Sequence, residues 1–162
     1  MNLTPMQLIL SLGVVVAFLR PLNRGPILSL VLIYLLGFGV ELLGIQTGFP
    51  FGSYNYGPIL GPKIAGTPLL IGINWVLVII GSATLTRRLW PKASNISQIF
   101  ISATIALGLD VLIEPVAVAL DMWTWTEGEI PSSNYIAWWV LAAFFSAIYN
   151  YLGNKYTSWV VI

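Results

Sequence analysis

The chain has 162 residues, of which 57% are hydrophobic and only 8% charged, with a formal net charge of +1. A soluble domain carries about a quarter charged residues, so this composition reads as one integral membrane domain over 1–162, and seven Lys and Arg scattered through loops give no surface for nucleic acid. With no Cys and no His, and no GxGxxG after a strand, the sequence excludes disulfides, thiolate nucleophiles, HExxH and Cys-ligated metal sites, the Ser-His-Asp arrangement and a built-in flavin or nicotinamide domain. The chemistry left is that of carboxylates and aromatic hydroxyls: proton transfer, charge stabilisation or ion binding.

Five apolar segments follow in chain order, approximately Met6–Leu19, Ile27–Leu43, Thr67–Thr86, Ser97–Leu120 and Tyr135–Gly153. They predict an all-α bundle of about five transmembrane helices. The first two fall short of the roughly 20 residues that a hydrocarbon core needs, so tilt, local thinning or extension across Thr4–Leu22 is expected. Met1–Gln7 carries no Lys or Arg and no A-x-A site precedes Arg20, so a cleaved signal peptide is not expected. There is no internal repeat and no interdomain linker. If the segments alternate across the membrane, Arg20, Arg24, Arg87, Arg88, Lys92 and Lys155 fall on one side and Lys63 on the other. The positive-inside rule then puts the N-terminus outside and the C-terminus in the cytoplasm of a bacterial or archaeal cell.

Glu41 sits near the outer end of the second segment. Beyond it, Gly and Pro recur through Gly44–Gly66, GIQTGFPFGSYNYGPILGPKIAG, which argues against a long helix, while Phe49, Phe51, Tyr54 and Tyr56 are too apolar for a free surface loop. The loop is expected to fold back into the interface or over a cavity, because irregular backbone at membrane depth survives only when buried in protein or facing water. The plainer alternative is an interfacial aromatic belt.

The fourth segment, SQIFISATIALGLDVLIEPVAVAL, holds Asp110 and Glu114 one helical turn apart, with Asp121 just past its end. An ionised carboxylate costs roughly 2.5–3.5 kcal/mol at mid-membrane on insertion scales, so two on one face mark a site by default. Pro115 removes a backbone donor and frees the carbonyl of Val111, which opens room beside Asp110. The alternative is that both acids only hold helices together. No basic residue lies inside a segment, so that role would need a protonated carboxyl or partners such as Asn74, Tyr34 and Tyr149.

Three separated stretches carry a resemblance: GFGVELLGIQTGFPFGSYNYGPILGPKIAGTPLLIGINW, DVLIEPVAVALDMWTW and IPSSNYIAWW. Together they resemble the carotenoid 1′,2′-hydratase family, membrane proteins also labelled simply as carotenoid biosynthesis proteins. The resemblance runs in register over about Leu35–Trp139, roughly two thirds of the chain. Members are usually longer, with a further span before the segment that starts near Thr4 and apolar sequence past the point where this chain stops. The resemblance implies addition of water to the terminal ψ-end double bond of a carotenoid such as lycopene or γ-carotene, without metal or other cofactor. It places the family's acidic positions at Glu41, Asp110, Glu114 and Asp121, its aromatic loop at Phe51, Tyr54 and Tyr56, and Asn134 and Trp138 in the third motif.

The residues themselves suit that chemistry. Hydrating a trisubstituted alkene needs a proton for the less substituted carbon and a water for the resulting tertiary cation. A carboxyl in low dielectric beside another carboxylate resists ionisation, so one of Asp110 and Glu114 is expected to serve as general acid. Rings of Tyr54, Tyr56, Trp123 and Trp125 would stabilise the cation, and Glu41 or Asp121 would orient the water. The carotenoid partner would reach the site from the lipid phase; assembly into a homo-oligomer is left open. Two alternatives remain: a lycopene-cyclase-like reaction that starts with the same protonation, and a proton-coupled transporter or carotenoid-binding subunit, against which stands the lack of an inverted repeat.

Overall fold

The computed structural model describes residues 3–18 and 23–153. It is a helical bundle of α1 (Thr4–Phe18), α2 (Arg24–Thr47), α3 (Leu70–Leu89), α4 (Asn95–Ala119) and α5 (Ser132–Ile148), the last continued by a π-helical turn through Tyr149–Gly153. Four of these helices are long and apolar enough to cross a membrane: α2, α3, α4, and α5 with its extension. The 15 residues of α1 span only about 22 Å. The second span is not short after all, since its helix runs for 24 residues and takes in Gly44–Thr47. The expected extension of the first span to Leu22 lies outside the described residues, as do Arg20 and Lys155 of the charge bias.

Helices α2 and α4 turn most of their large apolar side chains outward. The buried positions of α4 are Ile99, Ser102, Ala103, Ala106, Asp110, Glu114 and Ala117, a single face at helical spacing made mostly of small and acidic residues. Leu112 on the opposite side is 70% exposed. α2 repeats the scheme, burying Pro26, Ser29, Ile33, Gly37, Glu41 and Gly44. That is the pattern of a bundle in lipid, where tails solvate Leu and Ile as well as a core does, and small residues let backbones approach. Ser102 and Ser146 share a hydrogen bond across the α4–α5 contact at 3.0 Å.

α3 is the central helix, in contact with α1, α2, α4 and α5. Its Trp75 is fully buried, stacked on Trp138 of α5 with ring centroids 4.1 Å apart. The indole fits because α2 has glycine opposite it: a Cβ at Gly37 would lie 2.8 Å from the Trp75 ring.

The two irregular connections close one end of this bundle together. Between α2 and α3 the chain forms β1 (Tyr54–Tyr56), a 3-10 turn (Pro58–Leu60) and a small hairpin of β2 (Lys63–Ile64) with β3 (Thr67–Pro68). Between α4 and α5 lies β4 (Trp123–Trp125), which pairs antiparallel with β1 in the register Tyr54↔Trp125 and Tyr56↔Trp123. Alternation along a strand puts Tyr54, Tyr56, Trp123 and Trp125 on one face and leaves Asn55 and Thr124, both exposed, on the other. Gly57 permits the close approach, since its N–H donates to the Met122 carbonyl and a Cβ there would lie 1.9 Å from the Asp121 carbonyl oxygen. The all-α expectation therefore holds for the bundle, and short strands join its loops.

Candidate functional site

Beneath the β1–β4 pair lies a cavity of about 30 Å³, lined by Glu41, Phe51, Tyr54, Tyr56, Ile71, Asn74, Asp110, Glu114, Trp123, Trp125, Asn134 and Trp138. That volume holds about two water molecules. Each helix from α2 to α5 contributes, at the end where α2 and α4 finish and α3 and α5 begin. Among the described residues the lining has three carboxyl groups and no Lys or Arg.

Glu41, 3% exposed, accepts three hydrogen bonds: from Tyr54 Oη at 2.5 Å and Tyr56 Oη at 2.7 Å on Oε2, and from Trp75 Nε1 at 3.0 Å on Oε1. Burial first, and then the charge of Glu41, pushes both phenols above their ordinary range, so the hydroxyls keep their protons and remain donors. Glu114, 2% exposed, accepts from the indole N–H of Trp123 and of Trp125, each 3.0 Å from the same oxygen, Oε2. Asp110 is the least engaged of the three. Its contact is with Asn134 Nδ2, at 3.4 Å from Oδ2, near the limit of a useful hydrogen bond.

The aromatic roof is a connected set. Tyr54 meets Trp125 at 5.2 Å between centroids, Tyr56 at 5.4 Å and Phe51 at 6.1 Å, and Tyr56 meets Trp123 edge to face at 6.1 Å. These spacings suit aromatic pairs that lock each other in place. Polar handles and ring bodies thus do separate jobs, the N–H and O–H groups fixing two carboxylates while the rings enclose the cavity.

Of the residues singled out from sequence, Glu41, Asp110, Glu114, Phe51, Tyr54, Tyr56, Trp123, Trp125, Asn134 and Trp138 all line this one cavity. Asp121 does not: it is exposed and lies outside it. Continued at helical spacing, the face that carries Asp110, Glu114 and Ala117 would reach Asp121, but α4 stops at Ala119 and Asp121 takes a left-handed backbone, φ 58°. Among the described residues, none of the suggested helix-holding partners of Asp110 and Glu114 makes a hydrogen bond to either acid. Tyr34 donates to the Leu69 carbonyl at 3.1 Å, and Tyr149 lies under Arg87, whose guanidinium carbon is 4.9 Å from its ring. Sequence reasoning missed Trp75 as the third donor to Glu41 and Ile71 as a wall; Trp75 stands in an apolar span, where an indole reads as packing.

A second, larger hollow of about 430 Å³ adjoins the first, with Ile71, Asn74 and Trp123 in both linings. Its walls come from α1, α3 and α4, with Leu8, Leu70, Leu109, Leu112 and Val116 among them. It falls in the size range of small-molecule sites.

Fold and site define an integral membrane protein of helical-bundle type, built around a buried carboxyl cluster with an apolar groove beside it. The chain belongs to the carotenoid biosynthesis protein family, which it matches over residues 3–160. It is 26% identical over 136 residues to the bisanhydrobacterioruberin hydratase of Haloarcula japonica, a match that takes in 80% of this chain and 46% of that protein. The chain thus spans about half the length of this curated relative. No solved structure is significantly similar to it.

Proposed function

We propose that this protein hydrates the terminal double bond of a carotenoid ψ end, lycopene being the simplest substrate, to give a tertiary alcohol. The observation that carries the reading is the water-sized cavity with three carboxyl groups beneath an aromatic roof, adjoined by an apolar groove that shares Ile71, Asn74 and Trp123 with it. Membership of a carotenoid biosynthesis family and similarity to a protein named as a hydratase support it.

In this reading the polyene enters from lipid along the groove between α1, α3 and α4 and presents its end past Ile71 and Trp123. Asp110 is the general acid. Its one hydrogen-bond contact among the described residues is the 3.4 Å approach of Asn134, whereas Glu41 and Glu114 each accept two or more hydrogen bonds from fixed donors, so Asp110 is the carboxyl least committed to the protein and most available to the substrate. The Asp110 proton passes to the less substituted alkene carbon, the π pair forming the new C–H bond and leaving a tertiary cation. Fixed carboxylates and ring faces stabilise that cation without reorganising. A water lone pair forms the C–O bond, and the proton it sheds returns to a carboxylate, so alkene and water are consumed and one alcohol is made.

The test is expression in a lycopene-producing bacterium, with mass analysis of its pigments. A carotenoid heavier by one water is the expected product. A pigment of unchanged mass and altered absorption would mean cyclisation, and unchanged lycopene would contradict both reactions on this substrate.

A further inference from the structure

Among the described residues two polar side chains lining the acidic cavity make no hydrogen bond, those of Asn74 and Trp138, and of the two only Asn74 also lines the groove. Glu41, Glu114, Tyr54, Tyr56, Trp123 and Trp125 are tied by the hydrogen bonds described above, and Asn134 reaches Asp110. Asn74 is half-buried, and among the described residues its side-chain amide makes no hydrogen bond. An amide with no protein partner has its donors and its acceptor open to a water or a ligand. Its position says which. Asn74 belongs to both linings, that of the small acidic cavity and that of the large apolar groove. It stands one turn from Ile71 on α3 and beside Trp75, whose indole is fixed on Glu41.

We propose that Asn74 is the positioning residue for the attacking water. The inference rests on the hydration reading. The amide oxygen accepts one O–H of the water and the amide N–H₂ remains available to the product hydroxyl, while the lone pair of the water points across the threshold to the substrate end in the groove. The second O–H faces the carboxyl cavity, into which its proton is lost as the C–O bond forms. Asn74 thereby sets the fate of the cation. With water held in place the cation becomes an alcohol; without it, the cation returns a proton from an adjacent carbon to the carboxylate and reverts to an alkene.

The experiment compares wild-type protein with Asn74→Leu, close in size but unable to hold water, in membranes supplied with lycopene in D₂O. Two products are counted, the hydrated carotenoid and recovered lycopene-mass carotenoid that has gained deuterium through reversible protonation. The expected result for Asn74→Leu is a fall of about tenfold in the ratio of hydrated to exchanged carotenoid, with exchange itself retained, the factor lost with one water-holding hydrogen bond. Asn74→Val makes the same comparison if the Leu protein does not accumulate. An unchanged ratio, or parallel loss of exchange and hydration in an accumulated variant, would overturn the proposal. Absence of hydrated product from wild type would instead remove the hydration reading on which it stands.

Discussion

Tyr54→Phe takes one donor from Glu41 and almost nothing else. The ring remains, so its contacts with Phe51 at 6.1 Å, Tyr56 at 5.4 Å and Trp125 at 5.2 Å are kept. What is lost is the Oη bond to Glu41 Oε2, where Tyr56 still donates, with Trp75 on the other oxygen. A hydrogen bond to a charged group contributes about 1.5–3 kcal/mol. With two donors left, the lower end applies, and if Glu41 stabilises the cation the rate falls about tenfold. Tyr54→Phe with Tyr56→Phe strips Oε2 of both donors and is expected to cost about 3 kcal/mol, or roughly a hundredfold. Tyr54→Leu also removes the ring face and slows the reaction about 5–30-fold beyond Phe. Lycopene turnover in membranes at matched protein level measures all of these. The deciding comparison repeats Tyr54→Phe in a Glu41→Gln background, where its effect should shrink below about twofold, because the tyrosine acts through that carboxylate. An undiminished effect there, or full activity of the double Phe variant, would refute the assignment.

Three further outcomes follow from the same geometry. Glu114→Gln keeps an oxygen for the indole N–H groups of Trp123 and Trp125 but loses the charge, so the protein should accumulate normally while turnover falls about a hundredfold or more. Gly57→Ala should break the β1–β4 pairing, because the new Cβ meets the Asp121 carbonyl; limited proteolysis should cut the loops and activity should be lost, whereas Gly108→Ala, with nothing within 4 Å, should leave both unchanged. For topology, Ser132→Cys, exposed at the start of α5, should react with an impermeant thiol reagent from outside intact cells, and a reporter fused after Lys155 should be cytoplasmic. Labelling of position 132 only after permeabilisation would reverse the orientation.

Much of this arrangement was legible in the chain because the membrane simplifies its code. Apolar length marks spans, and any carboxylate inside one stands out, so α3, α4 and α5 and the pairing of Asp110 with Glu114 on one face follow from spacing alone. The Gly-Pro-aromatic loop was readable as a cover over something, since its tyrosines are too apolar for water. What it covers was not readable, because β1 and β4 are three residues each and pair across the whole length of α3 and α4. So short a strand has no period to detect. Asp121 lies outside the cavity for the opposite reason: sequence spacing assumes a helix that continues, and α4 ends two residues before it. Trp75 escaped notice because its packing on Trp138 and its bond to Glu41 come from two other helices, and its own neighbours in sequence give no sign of either.

The account stands or falls on a buried carboxyl delivering the proton that lets water add. Its most direct test is incubation of lycopene with membranes containing the wild-type protein or Asp110→Asn in water enriched in oxygen-18, with mass analysis of the carotenoid. The account predicts that the wild-type product gains one labelled hydroxyl and that Asp110→Asn, accumulated to the same level, forms it at least a hundredfold more slowly, the low end of what a general acid contributes. Labelled product from Asp110→Asn at near wild-type rate would contradict it.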